Sequence, residues 1–167
     1  MEQRYDLSGS LLHWYDYNKR ILPWRENKDP YRIWISEIML QQTRVEAVKP
    51  YFDRFMEVLP TVYDLAKVDD DRLMKLWEGL GYYNRARNLK AAAQTIVEEY
   101  GGQLPADYDK LLSLKGIGMY TAGAIGSIAF ELQVPAVDGN VLRVLTRLWG
   151  DDSDILKDKT KKAMGRR

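Results

Sequence analysis

The sequence contains no cysteine and a single histidine, His13. The lack of cysteine excludes disulfides, thiolate metal sites, cysteine ligands of an iron–sulfur cluster and a cysteine nucleophile in this chain. A Ser-His-Asp triad would have to use His13, which we interpret as a surface or half-buried residue of an N-terminal helix. We therefore expect no metal and no bound cofactor in this chain.

Long hydrophobic runs and an excess of one charge are also missing. No segment approaches the ~20 apolar residues of a membrane span, and the start MEQRYDLSGS lacks the pattern of a signal peptide, so we expect a cytoplasmic protein without a membrane partner. The 25 basic and 24 acidic residues give a net charge of +1, so any nucleic-acid contact has to come from a local patch. The 167 residues, 46% of them hydrophobic, suit one domain or one domain with a short extension.

The spacing of the apolar residues predicts an all-α fold, because the i, i+3, i+4, i+7 pattern recurs in almost every segment and period-two alternation is absent. Asp29-Pro30 is typical of a helix start, Gly101 with Gly102 of a helix end, and Thr43 with Glu46 of a capping box. Helices are predicted over residues 7–15, 31–42, 45–59, 63–67, 70–78, 83–100, 110–114 and 120–130, and after Asp138.

Two acidic residues stand in unusual places. Glu37 shares a predicted helix face with Ile33, Trp34 and Leu40, where desolvation would raise its pKa and keep a proton available, as in a general acid. The alternative is a boundary glutamate that reaches water or an arginine such as Arg44. Asp138, in VDGNV, is most simply the N-cap of the helix that follows it.

Glycines shape the segment LLSLKGIGMYTAGAIG, residues 111–126, which is predicted as helix, tight turn and helix. Gly116 and Gly118 would allow positive φ and leave backbone N–H groups uncovered, so the second helix could hold a phosphate without reading base sequence. The alternative is an αα-hairpin whose glycines only permit close packing.

A third segment, EGLGYYNRARNLKAAA, combines aromatic and basic residues at a helix start. Tyr82 and Tyr83 stand there beside Arg85, Arg87 and Lys90, and such rings and cations stack on bases and hold phosphates. Amphipathic helices also contain these residue types by chance.

Taken together, these segments resemble the helix-hairpin-helix DNA glycosylases of the endonuclease III superfamily, most closely those that excise adenine mispaired with 8-oxoguanine. The resemblance rests on five motifs in order: LPWR, WISEIMLQQTRVEAV, WEGLGYYNRARNL, LKGIGMYTAGAI and PAVDGNVLRVL. It implies a six-helix bundle over residues 29–135, with the hairpin at 111–126. Residues 1–28 and 136–167 would belong to an incomplete second helical module.

The resemblance also implies a reaction, in which an adenine is flipped out of the duplex. Glu37 would protonate the base at N7, and Asp138 would stabilise or covalently trap the oxocarbenium-like sugar until water attacks. Tyr120 stands where bifunctional relatives have a Schiff-base lysine, so a monofunctional enzyme is implied. By the same resemblance Tyr120 and Asn140 support the transition state, Arg20, Trp24, Arg25 and Leu40 line the adenine pocket, Gln42 and Tyr82 wedge into the base stack, and Thr43, Lys115, Gly116, Ile117 and Gly118 contact DNA.

Longer family members continue into a module with four cysteines that bind a [4Fe-4S] cluster, and into a domain that recognises 8-oxoguanine. This sequence stops at DKTKKAMGRR, so we expect a shortened form without either. The implied partner is duplex DNA with an A:8-oxoguanine or A:G mispair, and the implied location is intracellular and nucleoid-associated. The family implies a monomer, whereas an uncovered apolar stripe on the first helix would favour self-association.

Two other functions remain open on the sequence. A non-catalytic helix-hairpin-helix module that binds DNA would keep the hairpin but need neither Glu37 nor Asp138. A bifunctional glycosylase and lyase like endonuclease III is disfavoured by Tyr120. A purely structural helical protein would explain neither acid.

Overall fold

The computed structural model describes residues 6–155 together with residues 157, 160 and 163, so the start of the predicted segment 1–28 and much of the end of 136–167 lie outside the described residues. Within the described residues the chain is all-helical, as predicted, and contains no strand. The helices are α1 (Leu7–Asn18), a 3-10 helix (Pro23–Arg25), α2 (Pro30–Leu40), α3 (Val45–Val58), α4 (Val62–Lys67), α5 (Asp70–Trp77), α6 (Asn84–Tyr100), α7 (Tyr108–Ser113), α8 (Met119–Phe130) and α9 (Gly139–Trp149).

Side-chain caps begin most of these helices. Asp29 accepts from the backbone N–H of Tyr31, with Pro30 in the first turn of α2, as predicted. Asp69 and Asp107 cap α5 and α7 in the same way. Helix α6 ends at Gly101, whose φ of 61° is left-handed, which confirms the predicted C-cap.

The capping box predicted at Thr43 and Glu46 is wrong. Helix α2 ends at Leu40, two residues earlier than predicted, and Gln42 turns the chain with a φ of 57°. The N-cap of α3 therefore falls on Arg44, and the Thr43 hydroxyl donates to the Gln41 carbonyl at 3.3 Å instead. The capping box of this chain is at α4, where Thr61 and Asp64 satisfy each other's backbone N–H groups.

The core is built around α2, which packs between α3 and α8, while α4 lies against α6 and α7 against α8. Four large aromatic side chains in it are almost completely buried: Trp34, Trp77, Phe52 and Phe55. Burying each contributes roughly 1.5–3 kcal/mol relative to exposure. Trp34 anchors α2 in this core.

Small residues on α8 let the chain cross it closely. A Cβ on Gly123 would lie 2.1 Å from the Pro135 carbonyl oxygen, so only glycine permits the connector after α8 to run over this face. A Cβ on Gly126 would make tight contacts of 3.1 Å with Val134 and 3.3 Å with Leu132. This crossing returns the chain towards α2 and places Asp138, at the start of α9, beside it.

The two terminal helices have little cover in the described part of the chain. Helix α1 buries none of its residues, and Leu7, Leu11, Trp14 and Tyr15 are 40–58% exposed. Leu142 is the buried residue of α9, while Val144 and Leu148 are exposed. The apolar stripe predicted on α1 is thus exposed, and self-association stays a prediction. No described helix is long and apolar enough to cross a membrane.

The two threonines at helix starts give a stability test. We expect Thr61→Ala to lower the free energy of unfolding by about 1 kcal/mol, because it removes a capping box, and Thr43→Ala to lower it much less. Urea unfolding of the two variants beside the parent chain measures this difference. Equal losses would contradict the assignment of the box to Thr61.

Candidate active site

A cleft of about 1130 Å³ opens between the 3-10 helix, α2 and the first residues of α8 and α9. Its walls contain residues that belong to separate sequence motifs. The predicted site residues that line it are Arg20, Trp24, Arg25, Glu37, Leu40, Gln42, Tyr120 and Asp138. Asn140 joins them through a hydrogen bond to Asp138, whereas Tyr82 and residues 115–118 of the hairpin do not line this cleft.

Glu37 lies half-buried on α2 at the wall of this cleft. Burial raises the pKa of its carboxyl above the ordinary value, and the negative charge of Asp138 raises the pKa further. A hydrogen bond from Tyr120 and the charge of Arg25 oppose the rise. The cation that acts on Glu37 is therefore Arg25 rather than Arg44, and the net effect favours a protonated acid.

Tyr120 links the two acids. Its hydroxyl donates to Glu37, and burial together with the charges of Glu37 and Asp138 raises the pKa of the phenol well above its usual range. The ring sits in the first turn of α8 and remains partly exposed to the cleft. Tyr120 therefore stays a neutral hydrogen-bond donor at the centre of the site.

Asp138 is both a helix cap and a cleft residue. Its Oδ1 accepts from the backbone N–H of Val141 at 2.8 Å, which confirms the N-cap interpretation. Its Oδ2 accepts from Nδ2 of Asn140 at 3.0 Å. With one bond to each oxygen, the carboxylate is held in one orientation at the cleft wall.

The LPWR segment forms the opposite wall. Trp24 is buried edge-on against Phe52 at 5.3 Å between ring centroids, while Arg20 and Arg25 are exposed. Arg32 was not among the predicted site residues. Its Nη2 donates to the Pro23 carbonyl at 2.8 Å and so connects this segment to α2. The signal available was a lone arginine on the otherwise apolar first turn of α2.

Gln42 and Tyr82 meet at a second, smaller cleft of about 460 Å³. Both residues are exposed and both have left-handed backbones, with φ of 57° and 50°. A non-glycine residue in this conformation costs of order 1–3 kcal/mol and persists only where its surroundings hold it. The two predicted wedge residues thus share a surface next to the main cleft.

The hairpin of α7 and α8 agrees with the predicted backbone at Gly116 and differs from it at Gly118. Gly116 has a φ of 80°, as predicted, and a Cβ there would lie 2.8 Å from the Cβ of Asn88. Gly118, however, has a φ of −93° and needs no glycine, because it is the extended N-cap of α8. Ile117 is buried, and its N–H donates to the Leu114 carbonyl, so its side chain anchors the turn, and its contact with DNA stays a prediction. Lys115 remains exposed.

Fold, cleft and hairpin together define a helix-hairpin-helix protein with an acid pair beside the hairpin. Residues 35–167 match the family model of the HhH-GPD superfamily base excision DNA repair proteins. The chain belongs to that superfamily.

Curated relatives are adenine DNA glycosylases. Identity is 47% over 148 residues with the rat enzyme, covering 83% of this chain and 29% of that protein. It is 45% over 157 residues with that of Buchnera aphidicola from Acyrthosiphon pisum, covering 93% of this chain and 45% of that protein. The chain spans less than half the length of these relatives.

Solved structures share the fold. A thermostable thymine-DNA glycosylase superimposes with a TM-score of 0.85 at 30% identity, covering 95% of this chain and 75% of that one. A trapped covalent intermediate of endonuclease III with DNA superimposes with a TM-score of 0.76 at 28% identity, covering 91% of this chain and 72% of that one.

The four-cysteine cluster of longer relatives does not fit this chain, which has no cysteine to ligate iron. Among the described residues, no group of three or more His, Asp or Glu side chains is arranged to hold a metal ion.

The raised pKa of Glu37 predicts a pH-dependent stability. A carboxyl whose pKa is raised on folding stabilises the fold while protonated and loses that contribution as pH rises through the folded pKa. Glu37→Gln should therefore be more stable than the parent at pH 8, with the difference shrinking towards pH 4. Urea unfolding at both pH values tests this, with the exposed Glu46→Gln as control; a variant no more stable than the parent at pH 8 would contradict it.

The hairpin glycines give a second comparison. Gly116→Ala should destabilise the fold by about 1–2 kcal/mol, since it forces a left-handed alanine against Asn88. Gly118→Ala should cost about 0.5 kcal/mol or less, reflecting only N-cap preference. Urea unfolding measures both. Equal effects would show that backbone conformation does not set the requirement for glycine in this turn.

Proposed function

We propose that this chain is a monofunctional DNA N-glycosylase that removes adenine mispaired with 8-oxoguanine or guanine. The observation that carries the proposal is the coupling of Glu37, Tyr120 and Asp138 in one cleft, by a hydrogen bond and by charge, although they come from three elements. The 45–47% identity to adenine DNA glycosylases supports adenine as the base.

The first step is delivery of the base. The glycosidic bond of a stacked adenine is out of reach, so the nucleotide has to be flipped into the cleft. Gln42 and Tyr82, exposed beside the main cleft, are placed to enter the space that the base leaves. The N–H groups in the first turn of α8, with Lys115 nearby, can hold the backbone phosphates without reading sequence.

The second step is departure of the base. A carboxyl with a raised pKa holds its proton to a higher pH than an ordinary glutamate and can give it to N7 of adenine, which makes the base a better leaving group. Tyr120 orients that carboxyl and stays neutral itself. The C1′–N9 bond then breaks, and its electrons leave with the protonated base.

The third step is capture of the sugar. The oxocarbenium-like sugar carries positive charge, which the Asp138 carboxylate stabilises electrostatically or covalently until water adds at C1′. Val141 and Asn140 hold that carboxylate in a fixed orientation. Products are free adenine and an abasic site. Tyrosine at position 120 cannot form the imine that a lyase step needs, so the strand remains intact.

The decisive assay uses the purified chain and three duplexes with adenine opposite 8-oxoguanine, guanine or thymine, each analysed with and without alkali. We expect alkali-dependent breaks at A:8-oxoguanine and A:G but not at A:T. No break in any duplex would favour a DNA-binding module without activity. Breaks without alkali, with borohydride trapping of the chain, would favour a bifunctional enzyme.

The two acids are tested by isosteric variants. Glu37→Gln and Asp138→Asn should each lower the single-turnover excision rate at least about 100-fold, because each removes a proton or charge needed in the transition state. Asparagine keeps the N-cap, so the Asp138 variant isolates the charge. Duplex affinity should stay within about threefold of the parent, and Glu46→Gln serves as control. Substantial excision by either acid variant would remove that residue from the mechanism.

A further inference from the structure

We propose that Arg85 is a positioning residue that locks together the two loops carrying Gln42 and Tyr82. The inference rests on the proposed function, since those residues are the ones assigned to enter the base stack. Residues 40–44 follow α2 and residues 79–83 follow α5. They are far apart in sequence, and Arg85, in the first turn of α6, lies between them.

The guanidinium reaches both loops at once. Its Nη1 lies 2.8 Å, 3.2 Å and 2.6 Å from the carbonyl oxygens of Ile38, Met39 and Gln41 at the end of α2. Its Nη2 lies 3.1 Å from those of Leu80 and Gly81. Carbonyls at the C-terminal end of a helix lack their full set of intrahelical partners, and the partly buried guanidinium donates to three of them.

The lock acts directly next to the two left-handed residues. Gln41 and Gly81, whose carbonyls accept from Arg85, immediately precede Gln42 and Tyr82, with φ of 57° and 50°. Left-handed non-glycine residues persist only where neighbouring contacts determine the backbone. One side chain therefore fixes the two strained turns and with them the spacing between the wedge residues.

The Arg85 side chain is itself held in place by Trp77. Its guanidinium lies 5.4 Å from the ring centroid of buried Trp77, whose Nε1 also donates to the Gly81 carbonyl at 3.1 Å. With its terminal nitrogens bonded to carbonyls, Arg85 is not the phosphate-binding cation that its place in the YYNRARN segment suggested. Lysine cannot replace it, because a single ammonium does not span two loops as a planar fork does.

The structure therefore predicts that loss of Arg85 affects duplex binding and base excision differently. Phosphate contacts remain, so duplex binding persists. The wedge residues lose their fixed spacing, so base flipping and excision slow down, as small misplacements in an active site cost rate.

The test uses Arg85→Met, with Arg85→Lys as a second variant that keeps the charge should the first fold poorly. Tyr31→Phe is the stability control, since it removes a buried hydrogen bond to the Leu59 carbonyl away from both loops. Arg54→Met is the charge control, an exposed arginine stacked on Tyr51. Each is made in the parent and in the Gln42→Ala/Tyr82→Ala background.

We expect Arg85→Met and Arg85→Lys to lower single-turnover excision at least about tenfold and the fluorescence of 2-aminopurine at the target position in parallel, with affinity changed less than about threefold. In the double-alanine background the same substitution should cost less than about twofold, because the lock then has nothing to position. Equal losses in both backgrounds, or a loss no greater than that of Tyr31→Phe at matched thermal stability, would overturn the proposal.

Hydrogen exchange on the free chain tests whether Arg85 locks the two loops, independently of activity. Both Arg85 variants should speed exchange in residues 40–44 and 79–83 together and leave α4 unchanged. Acceleration in one loop alone, or in neither, would overturn the lock. If the parent chain excises no adenine but the Arg85 variants show faster exchange in both loops, the proposed function is refuted while the inferred lock is supported.

Discussion

The candidate site depends on a carboxyl group carried by α2, the helix at the centre of the core. Helix α2 lies between α3 and α8 and contributes Trp34, Ile35 and Met39 to the core, so its position is determined by burial over most of its surface. Glu37 projects from the remaining strip into the cleft, where burial raises its pKa. Burial on this helix therefore shifts the acid towards its protonated form.

The second acid reaches the cleft by a different route. Asp138 is delivered by a connector that crosses α8 at Gly123, where a side chain would collide with the Pro135 carbonyl. Once there, the residue uses one oxygen to begin α9 and the other to accept from Asn140. The capping and functional interpretations of this aspartate are therefore compatible, because the same helix start that needs a cap also holds the carboxylate at the cleft wall.

The surface beside the cleft is held by hydrogen bonds from one side chain to backbone carbonyls, and not by a buried core. Gln42 and Tyr82 adopt left-handed conformations, and the carbonyls before them accept from Arg85. Strain of this kind persists where the surrounding contacts determine the backbone, as at functional sites. The left-handed turn at Gln42 also accounts for the end of α2 at residue 40, two residues before the predicted end.

From the sequence alone, apolar periodicity determined the helical class, and the caps at Asp29, Gly101 and Asp138 located helix ends, because these depend on neighbours within a few residues. The motifs also indicated Glu37 and Asp138 as the acids to consider. Only the tertiary structure decided that Tyr120 hydrogen-bonds to Glu37 in the cleft that Asp138 also lines, that Arg25 rather than Arg44 acts on Glu37, and that Arg85 binds backbone carbonyls. Those contacts join distant parts of the chain, and no local pattern encodes which side chains will meet once the helices pack.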